Sequence, residues 1–212
     1  TCTATATDSG GETSQSTAAA AVGDSQPVAG ILSLSSSGDD ASTAHTDDII
    51  TVTVSGSDAD GDAVEFLYSW LVDGFEEHAE GPTASSTSSL DGSAHFERGQ
   101  TVQVVVTPVG GEAVPSDIFT VANSVPTEPA VTVDPAEAGE GDDITCSASG
   151  SEDADSGDSI SYVYSWARDG AAHSGLDGQD TVPASETAGG EEWTCTATAT
   201  DGTDGASGSA TA

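Results

Sequence analysis

Apolar residues in this chain fall into short runs that alternate with polar ones, and stretches of Asp, Gly, Ser and Pro separate the runs. Along Ile49–Ser55, Ile50, Val52 and Val54 take one side, while Thr51, Thr53 and Ser55 take the other. That is the period-two pattern of a half-buried strand. The same reading predicts strands over Ile31–Ser35, Val64–Val72, Val102–Pro108 and Asp117–Ala122 in the first half. It predicts them over Ala130–Asp134, Ile144–Ser149, Ile160–Ala167, Asp180–Val182, Trp193–Thr200 and Ala206–Ala212 in the second. Asp-Gly pairs at 73–74, 169–170 and 201–202 predict hairpin turns. No stretch has a helical period, and the alanine-rich Thr17–Val22 is too short to hold a helix alone. The pattern predicts an all-β chain.

The runs also repeat. Thr1–Asp8 reads Thr-Cys-Thr-Ala-Thr-Ala-Thr-Asp, and the same eight residues return at Thr194–Asp201, an offset of 193. A weaker repeat lies inside this one. Asp47-Asp48-Ile49 parallels Asp142-Asp143-Ile144, and the acidic stretch Asp58–Asp62 parallels Glu152–Asp158. Tyr68-Ser69-Trp70 parallels Tyr164-Ser165-Trp166, with the tryptophans 96 residues apart. Units of this length made of short strands suit β-sandwiches. Asn123–Pro129, with Pro126 and Pro129, predicts a short stiff seam, and Gln26-Pro27 marks an earlier one. The expected organisation is a terminal hairpin and linker over 1–25, one sandwich over 26–125 and another over 126–212.

In the second unit the order Cys146, Trp166, Cys195 is similar to that of immunoglobulin sandwiches, in which a cystine joins strands B and F and the strand-C indole packs on it. The expectation is a Cys146–Cys195 disulfide, with two buried free thiols as the alternative. The first unit puts Val52 and Val104 at the aligned positions and keeps Trp70. Trp193 stands two residues before Cys195, with Val102 as its counterpart. Trp70, Trp166 and Trp193 are expected in the cores. Thr1–Val22 reads as strands F and G of a further unit, as the end of a preceding module in a longer array or, alternatively, as a hairpin donated to a neighbouring subunit, and Cys2 would then pair with a cysteine outside this chain. The Ser-Asp-Ala-Asp-Gly-Asp stretch, Tyr-Ser-Trp-x-x-Asp-Gly, Val182-Pro183-Ala184 and Glu192–Thr198 with Asp201-Gly202 together resemble the tandem polycystic-kidney-disease-like, immunoglobulin-like repeats of large secreted and surface proteins of bacteria. The first unit departs from that pattern by lacking the cysteines and by its longer, Ser-rich middle, Gly81–Gly92.

Charge narrows the choice of partners. Two basic residues, Arg98 and Arg168, stand against 37 carboxylates, for a net charge of −35. Such a surface repels nucleic acid and anionic membranes. No apolar run approaches the roughly 20 residues needed for a membrane-spanning helix. The alternate carboxylates Asp58, Asp60 and Asp62, and their counterparts Asp153, Asp155 and Asp158, are candidate calcium ligands, because hard oxygen donors crowded on a loop suit that cation. They do not follow the EF-hand spacing. The competing reading is a solvated acidic turn. His45, His78, His95 and His173 lack metal-ligand spacing, and no nucleophile elbow is present. Phe75 and Phe96 are the aromatics that could be exposed for stacking on sugar.

These features make a non-enzymatic, structural role the leading expectation. The chain would be a segment of an extracellular or cell-surface fibre, stalk or filament, with neighbouring repeats as its head-to-tail partners. The alternative is an adhesin or carbohydrate-binding accessory module of a secreted protein.

Overall fold

The computed structural model describes all 212 residues, Thr1–Ala212. It holds a free-standing hairpin followed by two β-sandwiches of immunoglobulin-like topology.

The hairpin pairs β1 (Cys2–Thr7) with β2 (Thr13–Ala18) around a turn in which Asp8 Oδ1 accepts from the Gly10 and Glu12 N–H groups. Every residue of both strands is exposed.

In the first sandwich one sheet orders β3 (Val28–Ser36), β4 (Ile49–Ser57) and β7 (Thr87–Asp91). The facing sheet runs β10 (Phe119–Thr120), β8 (Thr101–Pro108), β5 (Phe66–Val72) and β6 (Phe75–Thr83), with β9 (Val114–Pro115) also on β8. Alternate residues of β4, β5 and β8 are buried, as the period-two pattern requires. They build a core of 14 residues that includes Val52, Val104 and Trp70, each with 0% exposure. The Ser-rich middle is not a loop. It forms the end of β6, all of β7, and a one-turn helix α1 (Gly92–His95) capped by Asp91. Strand β7 hides its pattern because Ser88 and Leu90 are the buried pair, and Ser88 is polar. Its hydroxyl earns burial by accepting from the Trp70 indole N–H at 3.0 Å.

The second sandwich is built alike. One sheet orders β11 (Ala130–Asp134), β12 (Ile144–Ser149) and β15 (Thr181–Val182). The other runs β14 (Ala171–Ala172), β13 (Ser161–Arg168), β16 (Trp193–Thr200) and β17 (Gly205–Thr211). A disulfide joins Cys146 of β12 to Cys195 of β16 across the sheets. Trp166 faces Cys195 in the β13–β16 register, as Trp70 faces Val104 in β5–β8. Here the core cluster has only six buried residues: Ile144, Cys146, Trp166, Val182, Trp193 and Cys195. Trp193 stacks edge-on against Trp166 and His173, and the Arg168 guanidinium lies over its ring.

One expectation changes. Phe96 is not a surface aromatic. It is 2% exposed and packs over Gly92, where any Cβ would collide with its ring. Phe75 alone of that pair is open to solvent. Asp73-Gly74 and Asp169-Gly170 do form two-residue turns with positive φ at both positions. Asp201-Gly202 also lies in a hairpin turn, between β16 and β17, as part of a four-residue loop in which Asp201 Oδ1 accepts from the Thr203 and Asp204 N–H groups.

Candidate functional site at the junction between the sandwiches

The acidic loop of the second sandwich, which leads from β12 to β13, meets the end of the first. Asp155 sits at its tip and is 3% exposed. A buried carboxylate is costly unless it is hydrogen-bonded and paired, and the partners of Asp155 come from outside its own sandwich. The Thr46 hydroxyl, which precedes β4, donates to Oδ1. From the seam, the Ser124 N–H donates to Oδ2 at 2.8 Å and the Ser124 hydroxyl to Oδ1 at 3.1 Å. Arg98, on the turn between α1 and β8, lies 3.6 Å from Oδ2.

Arg98 also forks onto Asp158. Its Nη2 donates to Oδ1 at 2.7 Å and its Nη1 to Oδ2, while Nη1 also donates to Asn123 Oδ1. The bond to Asp158 raises the guanidinium pKa most, partial burial opposes it, and the fields of Asp158, Asp155 and Asp201 add to it. Asn123 spans the gap further. Its side-chain N–H₂ donates to Asp201 Oδ2 at 2.7 Å and holds that carboxyl below its ordinary range, helped by the Asp204 and Thr203 N–H groups. Ser156 donates to Glu97 at 2.7 Å. One of only two cations in the chain therefore stands between two carboxylates of the next module. Bidentate, charge-assisted pairing of this kind fixes orientation as well as adding energy.

The candidate calcium ligands divide. Asp153 and Asp158 come together with Asp201, carboxylate oxygens lying within 4.8 Å of one another. Asp153 Oδ1 accepts from the Asp155 N–H, while its Oδ2 is buried without a hydrogen-bond partner. Asp155 is turned into the junction. In the first sandwich Asp58 Oδ1 accepts from the Asp60 N–H at 2.8 Å, and Asp60 Oδ2 accepts from the Ser25 N–H at 2.6 Å. Asp60 and Asp62 are exposed, and the three carboxylates do not form a cluster.

Two clefts flank the junction. One, of about 690 Å³, lies between α1 with its following turn and Ala154 and Ser156; the other, of about 390 Å³, is lined by Asp39, His45, Asp47, Asp48, Glu152 and Asp153 among others. Sequence reasoning placed Asn123 and Ser124 in the seam but did not find Thr46, Arg98 or Asp201 as their partners at the junction. The one available signal was the rarity of arginine.

Cys2 is exposed and unbonded, and no helix is long and apolar enough to cross a membrane. No family model matches the chain, and no curated protein matches it. Among solved structures it is similar to the three N-terminal domains of the bacteriophage RB49 highly immunogenic outer capsid protein (Hoc), at 14% identity and a TM-score of 0.32. The match covers 89% of this chain and 57% of that one, so the chain spans little more than half the length of the structure it matches.

Proposed function

We propose that the chain is a load-bearing segment of an extracellular array of immunoglobulin-like modules in series, the repeat architecture its motifs resemble. One observation carries this reading: Arg98, Thr46 and Ser124 close on Asp155 and Asp158, tying one sandwich to the next through charge-assisted bonds, those of Thr46 and Ser124 to Asp155 being buried. A flexible tether needs no such joint, whereas a stalk that keeps its direction does. Each sandwich takes the chain in at one end and hands it on at the other, so tension along the backbone crosses the joint. The disulfide fits an oxidising compartment outside the cytosol. The acidic surface keeps neighbouring segments from collapsing onto one another. The partners in this reading are neighbouring repeats joined head to tail. Cys2 would be bonded to a strand-B cysteine of the sandwich that β1 and β2 complete.

Calcium has one place to strengthen the joint. The Asp153, Asp158 and Asp201 oxygens lie together, and Asp153 Oδ2 lacks a partner. Calcium seated there would raise the melting temperature of the second sandwich at millimolar concentration, and chelator would reverse the rise. No change in either direction would remove the metal from this reading.

Electron microscopy of the native material tests the function itself. Extended filaments or stalks with an axial period set by the modules are expected. Compact, monodisperse particles that bind glycan would instead favour a carbohydrate-binding accessory module.

A further inference from the structure

The joint between the two sandwiches has a second copy at the front of the first. Asp58-Ala59-Asp60 aligns with Asp153-Ala154-Asp155, and Gly61-Asp62 with Gly157-Asp158. The copies agree in geometry. The Asp60 N–H returns to Asp58 Oδ1 at 2.8 Å, and the Asp155 N–H to Asp153 Oδ1 at 2.9 Å. Gly61 and Gly157 both hold positive φ, 85° and 90°. A serine two residues before a proline then donates its backbone N–H to the central aspartate. Ser124 does so to Asp155 Oδ2 at 2.8 Å, and Ser25 to Asp60 Oδ2 at 2.6 Å.

What differs is occupancy. Asp155 and Asp158 hold Thr46 and Arg98 of the preceding sandwich. The matching carboxylates, Asp60 and Asp62, are exposed. We infer that the Asp58–Asp62 loop with Ser25 is an open socket for the end of a further immunoglobulin-like sandwich, one that offers a guanidinium and a hydroxyl as Arg98 and Thr46 do. This rests on the serial reading above and names the chemistry of the missing neighbour.

The occupant is the sandwich to which β1 and β2 belong. Strand β1 repeats β16 in sequence, and β2 pairs with it in the register of β17, Cys2 facing Ala18 as Cys195 faces Ala210. The face carrying Cys2, Ala4 and Ala6 is exposed, while Cys195, Ala197 and Ala199 are fully buried. That neighbour is not a second copy of the sandwich ending this chain. Gly189 and Glu140 stand there at the positions of Arg98 and Thr46, so it has neither the cation nor the hydroxyl. Ser16 of the hairpin falls at Gly208, where a Cβ would lie 2.4 Å from the Pro129 carbonyl oxygen.

Carboxyl footprinting with carbodiimide and glycine ethyl ester tests the socket without altering the protein. In the 212-residue chain Asp60 and Asp62 should label readily and Asp155 should not. In native material, where the neighbouring sandwich of this proposal is present, labelling of Asp60 and Asp62 should fall to the level of Asp155. Free labelling of both in native material overturns the socket, even where microscopy shows a serial array; absence of an array overturns the serial reading itself. A second test places an extra copy of residues 24–123 directly ahead of Ser25, so that its Arg98 faces Asp60. Spin-label distances across the new joint should be as narrow as across the existing one and should broaden with Asp60→Asn. A joint that stays broad, or that ignores Asp60→Asn, counts against the proposal.

Discussion

Cys146 and Cys195 are 49 residues apart, and closing a loop of that size removes about 3–4 kcal/mol of freedom from the unfolded chain. The second sandwich depends on this more than an average domain does, because its core cluster has six buried residues against 14 in the first. Small cores are where covalent staples matter most. Reduction, or Cys146→Ala with Cys195→Ala, should therefore lower the melting of the second sandwich and leave the first unchanged; calorimetry resolving two transitions checks this. Asp48 sets an acid limit for the first sandwich. Burial works against its ionisation, but hydrogen bonds from the Ser36 hydroxyl and the His45 N–H outweigh that and hold its carboxyl below the ordinary range. A depressed pKa gives stability that is full above about pH 4 and is lost as pH falls through the folded-state value. Asp48→Asn should flatten the fall in melting temperature between pH 6 and pH 2, measured in concentrated salt so that overall repulsion does not intrude. It should also cost about 2 kcal/mol at neutral pH through the lost bonds.

Strands reveal themselves in sequence when one face is apolar. Strands β4, β5, β8, β12 and β16 were legible on that basis, and so was the alignment of Val52 and Val104 with the cysteines. Strands β6 and β7 were not. Strand β6 lies at a sheet edge and is exposed at most positions, so nothing obliges it to alternate. Strand β7 uses a serine as a core residue because the Trp70 indole needs an acceptor. The hairpin of β1 and β2 is the opposite case, readable as strands yet without a sandwich to rest on. Two strands alone are marginal in water. Its amides should exchange with deuterium at near-unfolded rates in the 212-residue chain, while those of β16 and β17 are protected; protection of β1 to the level of β16 would show that the hairpin is docked.

At the scale of the whole chain, 37 carboxylates and two arginines leave a net charge of −35 that opposes compaction. Salt shortens the reach of that repulsion, from about 10 Å at 0.1 M to about 3 Å at 1 M. Both sandwiches should melt higher as sodium chloride rises through that range, and a melting temperature that falls instead would show that surface ion pairs dominate. The sequence by itself determined the all-β class and the repeat, because each follows from local periodicity or from alignment of one unit on another; the immunoglobulin-like order of Cys146, Trp166 and Cys195 made the disulfide an expectation, and the fold brings the two sulfurs together. It also marked the Asp58 and Asp153 loops as special, and offered calcium as their reason. Only the tertiary structure decided which groups Asp155 meets, and that Phe96 is core. Asp155 meets Thr46, 109 residues away, and Asp158 meets Arg98, 60 away. Such pairings depend on how the ends of two folded sandwiches are set against each other, and no pattern along the chain encodes that.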